Sequence, residues 1–234
     1  MKMLRSWLFV PGDDERKMTK AVGGEADALL FDLEDAVADE RQEIARQMVA
    51  DILTANPDRS RQQLWVRINP LDSELSLPDL AAVMRGKPDG IILPKTYSAA
   101  DVNRLGDFLS ALEAREGIDQ GATKILCVAT ETASSLVTFE SYIRDVTDRL
   151  VGLTWGGEDL AAALGASDNR HPVTGDYDEP YLLARTFTLA TARAIDAQPV
   201  GSVFVDFRNL EGLEKECLRD RRMGYIGKIA IHPA

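Results

Sequence analysis

Eight short apolar runs punctuate the chain, and the segments between them carry helical spacing. The runs are "WLFVPG" (7–12), "ALLFDLED" (28–35), "LWVRINP" (64–70), "GIILPK" (90–95), "KILCVATET" (124–132), "LVGLTWGGEDL" (150–160), "GSVFVD" (201–206) and "IGKIAIHP" (226–233). Stretches of a few apolar residues rich in Val, Ile and Leu fit strands buried on both faces. Between them, residues 36–54 place Val37, Ile44, Ala45, Met48 and Ile52 near one helical face. Segments 98–115, 132–147, 180–197 and 210–223 read similarly, and 13–22 and 76–86 read as shorter helices. In the last of these Ser76 is a candidate N-cap and Pro78 falls in the first turn. Alternation of this kind predicts a parallel sheet covered by helices. Eight units within 234 residues favour one closed domain over 1–234, an α/β fold of the (β/α)8 TIM-barrel type. No Gly-rich dinucleotide fingerprint competes with that reading, because "GDDERK" and "GGEADA" do not match it. The eighth run ends at His232-Pro233-Ala234, so either the sequence is cut short there or the expected barrel does without its last helix, which would leave apolar surface for another subunit.

Composition narrows the partners. No apolar stretch reaches the roughly 18 residues of a membrane span. The opening "MKMLRSWLFVPGDDERK" is closed by Pro11 and Gly12 after four apolar residues, unlike a signal peptide. A cytoplasmic protein is expected. The two cysteines, Cys127 in a strand pattern and Cys217 in a helical one, read as reduced thiols rather than a disulfide framework. The formal net charge of −11 argues against non-specific nucleic-acid binding, which depends on Lys and Arg neutralising phosphates. An anionic small ligand remains open where local positive charge or a bound cation offsets that field.

In such barrels catalytic groups come from the carboxyl ends of the strands. Here those ends carry Asp32, Glu34 and Asp35; Arg67 and Asn69; Lys95; Thr130, Glu131 and Thr132; Trp155 to Asp159; Asp206; and His232. Glu131 follows the fifth run and Asp159 the sixth, so the two acids are spatial neighbours. Two facing carboxylates repel unless one takes a proton or a cation intervenes. Oxygen-only ligation suits Mg2+, which fills its remaining positions with water or substrate. The alternative makes Glu131 a helix N-terminal carboxylate and Asp159 a surface acid.

Arg67 ends a buried run and needs a carboxylate partner, either an internal acid such as Glu34 or a substrate. Lys95 stands where a Schiff-base lysine would stand, or is simply partnered by nearby acids. His171 reads as a loop residue, His232 as the better candidate for site contact. Two histidines without fitting spacing make a His/Cys zinc site improbable. Arg16 and Lys20 share a helix face after the first run and either receive phosphates or form a solvated face. Glu34 and Asp35 are placed to orient the arginine and metal-bound water, with Asp35 also positioned to cap the following helix.

The runs "RSWLFVPG", "FDLEDAV", "VRIN", "ILPK", "ETA", "GGEDL" and "GKIAIHP", in this order, resemble the citrate lyase β-subunit-like family. That family includes the citryl-CoA, malyl-CoA and citramalyl-CoA lyases. The resemblance implies a Mg2+-dependent barrel that cleaves a carbon–carbon bond in a 3-hydroxyacyl thioester, giving acetyl-CoA and a 2-oxo acid. It implies Glu131 and Asp159 as metal ligands and Arg67 as the residue holding the keto-acid fragment. Phe9, Arg16 and Lys20 match positions lining the CoA or substrate entrance. Leu30 to Ala36 match an acidic substrate-lining loop, and Ile231 with His232 another contact. The implied partner is a CoA thioester of the citramalyl or malyl type, or a citryl thioester on an acyl carrier protein. A homo-oligomer, with a trimer favoured, is also implied. The family's lid, beyond "IHP", carries an aspartate acting as acid or base, and these 234 residues end before it. A Schiff-base aldolase and a non-catalytic paralogue are the rival classes.

Overall fold

The computed structural model describes residues 3–233. The strands are β1 (Ser6–Pro11), β2 (Ala28–Asp32), β3 (Gln63–Arg67), β4 (Gly90–Leu93), β5 (Lys124–Val128), β6 (Leu150–Thr154), β7 (Gln198–Gly201) and β8 (Gly227–Ala230). They pair in parallel in sequence order and close into one barrel, β8 returning to β1. The helices are α1 (Glu15–Ala21), α2 (Gln42–Ala55), α3 (Ser76–Val83), α4 (Ala99–Glu116), α5 (Glu140–Arg144), α6 (Gly157–Leu164), α7 (Glu179–Ala194) and α8 (Leu210–Met223). Among the described residues no helix follows β8. Met1, Lys2 and Ala234, which the expected domain included, lie outside the described residues.

Alternation along each strand divides two apolar layers. Trp7, Leu30, Trp65, Ile92, Leu126 and Ile229 belong to one buried cluster inside the barrel. Leu29, Phe31, Val66, Ile91, Leu93 and Cys127 belong to a larger one between strands and helices. The lower interior is filled by Trp7 and Trp65, whose rings meet edge-on at 5.2 Å. Gly90 makes room for this packing, since a Cβ there would lie 2.2 Å from the Trp65 ring.

Four local expectations need correction. The seventh strand is Gln198–Gly201 rather than 201–206. Pro199 and the polar Gln198 disguise it, whereas in the more apolar run Val203 and Phe204 are only half-buried and Val205 is exposed. Residues 132–147 form a 3-10 turn at Ser134–Val137 and the short α5, not one helix. Ser76 does not cap α3: it is the first helical residue and its hydroxyl donates back to Ser73 O. The helix after β2 starts near residue 39 as a 3-10 turn and becomes α2 at Gln42, so Asp35 caps nothing. Asp32 instead closes the intervening loop, accepting from the backbone N–H of Glu34 at 3.0 Å and of Ala36 at 3.1 Å.

No helix among the described residues is long and apolar enough to cross a membrane.

Candidate active site

A cavity of about 380 Å³ opens at the carboxyl ends of the strands. Its walls include Phe9 and Pro11 from β1, Asp32 and Arg67 from β2 and β3, Glu131 after β5, and Asp159 on α6. A larger groove of about 690 Å³ lies at the opposite end, around the starts of β6 and β7. That end of a barrel carries stability rather than chemistry, so the smaller cavity is the candidate site.

Arg67 organises it. Asp32 and Arg67 are register partners at the ends of adjacent strands. The guanidinium donates to both Asp32 oxygens at 2.7 Å through Nε and Nη2, a bidentate pair. Its Nη1 donates to Asp35 Oδ2 at 3.0 Å and lies 2.8 Å from Glu34 Oε2. Phe9 supports the guanidinium, with Cζ 4.6 Å from the ring centroid. Burial works against the charge on Arg67, but Asp32, Glu34 and Asp35 outweigh it and keep the group firmly protonated. Three internal acids are thus partners of Arg67, which also lines the cavity.

Lys95 binds the two halves of the acidic cluster together. It sits in the left-handed region at φ 50°, an uncommon conformation for a residue with a Cβ. Its backbone N–H donates to Glu131 Oε2 at 2.7 Å. Its Nζ reaches Glu34 Oε1 at 2.5 Å, Asp35 Oδ1 at 3.3 Å and Asp159 Oδ1 at 3.6 Å. Burial lowers the ammonium's proton affinity, yet the Glu34 hydrogen bond and the three acids raise it above the ordinary lysine value.

Glu131 is 7% exposed. Burial, reinforced by the charges of Asp159 and Glu34, pushes its carboxyl up to about 8 against the Lys95 N–H and Arg67. Gly156 is required beside it, because a Cβ there would stand 2.7 Å from Glu131 Cγ. Asp159 lies in the first turn of α6 and is one-third exposed at the cavity wall. Glu34 is pushed up to about 7 by burial, with Arg67 and Lys95 pulling the other way. For Asp35, burial is overcome by Arg67 and Lys95, and its carboxyl lies below the usual range.

The structure therefore gathers Phe9, Asp35, Arg67, Glu131, Asp159 and Ile231 around one cavity. Glu34 stands just behind the wall, in contact with Arg67 and Lys95. Arg16 and Lys20 are exposed on α1 and do not line the cavity. His232 does not line it either; it stacks on Phe207 at 4.6 Å. His171 is a loop residue, its Nδ1 accepting from the Val173 and Thr174 N–H groups at 3.3 Å. Asp32, Trp155 and Tyr177 also line the cavity. The Asp32 clamp had a signal in the sequence, since an acid and an arginine end neighbouring strands. Tyr177 had none: it arrives from the 165–178 loop, held over Trp155 and beneath Arg170.

Among the described residues no group of three or more His, Cys, Asp and Glu side chains forms a self-sufficient metal cage. Glu131 and Asp159 instead offer two carboxylates to one cavity, and the charge of Asp159 works against that of Glu131, a cost that a cation there would relieve. That matches Mg2+, which keeps water or substrate in its other positions.

Residues 5–233 match the family described as HpcH/HpaI aldolase/citrate lyase. The chain belongs to this family. The citrate lyase subunit beta of Haemophilus influenzae is 34% identical over 233 residues, spanning 100% of this chain and 77% of that protein. The mitochondrial citramalyl-CoA lyase of Mus musculus is 31% identical over 238 residues, spanning 98% of this chain and 68% of its own. Among solved structures, the Mycobacterium tuberculosis protein CitE in complex with magnesium, acetoacetate and coenzyme A superposes with a TM-score of 0.80. It shares 31% identity and covers 99% of this chain and 77% of that one. As a member of the HpcH/HpaI aldolase/citrate lyase family, this chain has the (β/α)8 barrel expected from its alternating runs.

Proposed function

We propose that this chain is a Mg2+-dependent carbon–carbon lyase. Its substrate is a 3-hydroxyacyl-CoA thioester of the citramalyl or malyl type, and its products are acetyl-CoA and a 2-oxo acid. The observation that carries this reading is that Glu131, Asp159 and Arg67 line one cavity at the carboxyl end of the barrel. Glu131 and Asp159 hold the metal, which when bound supplies Lewis-acid polarisation of substrate oxygens.

The chain's own residues supply orientation and charge. Arg67 donates three hydrogen bonds to Asp32 and Asp35 and turns Nη1 toward Glu34 at 2.8 Å, which leaves one Nη2 N–H of a guanidinium's five for a ligand. Because Asp32 grips it bidentately, the fork is fixed before substrate arrives, and it opposes charge developing on the 2-oxo acid fragment. Lys95 holds Glu131 through its N–H and balances Glu34, Asp35 and Asp159 through its ammonium. Glu34 and Asp35 keep both cations in place and orient water near the metal. Coenzyme A enters over Phe9 and the basic face of α1. The working form is a homo-oligomer, with a trimer favoured.

The environment of Lys95 weighs against Schiff-base chemistry. A nucleophilic amine must be neutral, and three acids hold this one protonated. The test is a panel of citramalyl, malyl and citryl thioesters, on CoA and on an acyl carrier protein, assayed for acetyl-thioester release. Activity on a CoA thioester that EDTA abolishes and Mg2+ restores is expected. Activity indifferent to EDTA, or none on any of the panel, overturns the reading.

A further inference from the structure

The cavity floor holds a hydroxyl that nothing in the protein uses. Thr154 is the last residue of β6, is 1% exposed and lines the cavity. Its Oγ1 is buried without a hydrogen-bond partner. The side chain faces the barrel interior. Gly152, two residues earlier, faces Leu126 of the inner layer, where a Cβ would come within 2.7 Å of Leu126 Cδ1. Residues two apart on a strand share a face. Its register partner is Val128, another inner-layer residue.

Around Thr154 the cavity is lined by Ile92, Val128, Val203 and Ile229. Valine, of nearly the same shape, would fill such a position without leaving a polar atom unpaired. A buried hydroxyl with no partner costs free energy, and one kept in an apolar layer needs an explanation. The next residue repeats the pattern: Trp155 is 3% exposed, lines the same cavity, and its Nε1 is also buried and partnerless. Both residues line the cavity to which Glu131 also contributes. Neither serves the machinery described above, where Arg67, Glu131 and Asp159 carry the charge.

We propose that Thr154 is a substrate-binding residue whose hydroxyl donates a hydrogen bond to an oxygen of the 2-oxo acid fragment, from the barrel floor. This rests on the lyase reading, which puts that fragment in this cavity. The donor adds no charge, so it suits a site where the metal and Arg67 already balance the acid. It fixes which way the fragment is turned.

Thr154→Val and Thr154→Ser separate this role from a structural one. Calorimetric titration of pyruvate into the full chain at saturating Mg2+ should show binding weakened at least about tenfold in Thr154→Val. Thr154→Ser should stay within about threefold of wild type. A hydrogen bond to a charged acceptor has that size. The metal-free melting temperature of Thr154→Val should be unchanged or higher, because an unpaired donor has been removed. Equal pyruvate affinity in Thr154→Val overturns the assignment. So does a loss that Thr154→Ser shares, or one accompanied by a melting temperature lowered by several degrees, which marks a hydroxyl satisfied by internal water. If the wild type itself binds no 2-oxo acid in Mg2+, the lyase reading has failed and this assignment falls with it.

Discussion

The ammonium of Lys95 and the carboxylate of Glu34 meet at 2.5 Å across the mouth of the barrel. Glu34 is buried, and Arg67 lies on its other side at 2.8 Å. Lys95 is thus a structural counter-ion, and Lys95→Met leaves Glu34 short of one cation and Asp159 without its neighbour. Loss of at least about a hundredfold in kcat/KM is expected, a size in keeping with removing one buried, charge-paired group. Borohydride added to wild type with pyruvate should give no mass increase at Lys95. A trapped adduct would return the chain to the Schiff-base class.

Arg67→Lys tests the fork rather than the charge. A lysine ammonium is a point charge and cannot occupy both Asp32 oxygens, now each at 2.7 Å from a guanidinium nitrogen. It also loses the planar contact with Phe9. Turnover should fall at least about a hundredfold, the equivalent of about 3 kcal/mol of lost charged hydrogen bonding. Steady-state kinetics that stay within threefold of wild type would show that position 67 needs only positive charge.

Glu131→Gln addresses the proposed metal site through stability as well as rate. The Glu131 carboxyl is raised from an ordinary 4.5 to about 8 in the folded protein, mainly by burial and the nearby Asp159. A raised folded value makes the metal-free protein lose stability as pH rises from 4.5 to 8. That loss is about 3 kcal/mol at pH 7. Glutamine cannot ionise on unfolding as glutamate does, so metal-free Glu131→Gln should melt higher than wild type at pH 7. It should also lack the rise in melting temperature with Mg2+ that is expected of the wild type, and the expected lyase activity. An unaltered response to Mg2+ would remove Glu131 from the ligand set.

Much of this was written in the chain at low resolution. The barrel follows from apolar runs spaced by helical segments, because both faces of each strand must be apolar. Where one strand breaks that pattern, as Pro199 does in β7, the reading slides to the next apolar run. Glu131, Asp159 and Arg67 were legible because strand ends in a closed barrel converge. Their partners were less so. The Asp32 clamp needs strand register, and the left-handed turn at Lys95 needs backbone geometry. Thr154 reads in sequence as one more β-branched strand residue, since whether a hydroxyl has a partner is a fact of three dimensions.

The last prediction lies outside the cavity, at the fully buried Glu113 of α4. Its carboxylate accepts from Arg149 Nη1 at 2.7 Å and Nη2 at 2.6 Å, and from the backbone N–H of Gly121 and Thr123 at 2.8 and 2.9 Å. These bonds tie the end of α4 to the strands β5 and β6. Burial favours the neutral acid, but the guanidinium and both N–H groups win, and the carboxyl falls from 4.5 to about 2. A depressed folded value contributes stability that is complete above pH 4.5 and drains away as pH falls toward 2. The contribution is about 3 kcal/mol. Urea unfolding between pH 3 and 6 should show this slope, and Glu113→Gln should flatten it. At pH 7 Glu113→Gln should cost about 3–5 kcal/mol, since Arg149 is left buried without its partner. The double replacement Glu113→Met with Arg149→Met should recover much of that loss, because no charge is then stranded. A double variant no more stable than Glu113→Gln would mean that the bonds to Gly121 and Thr123, rather than the ion pair, hold this corner of the barrel.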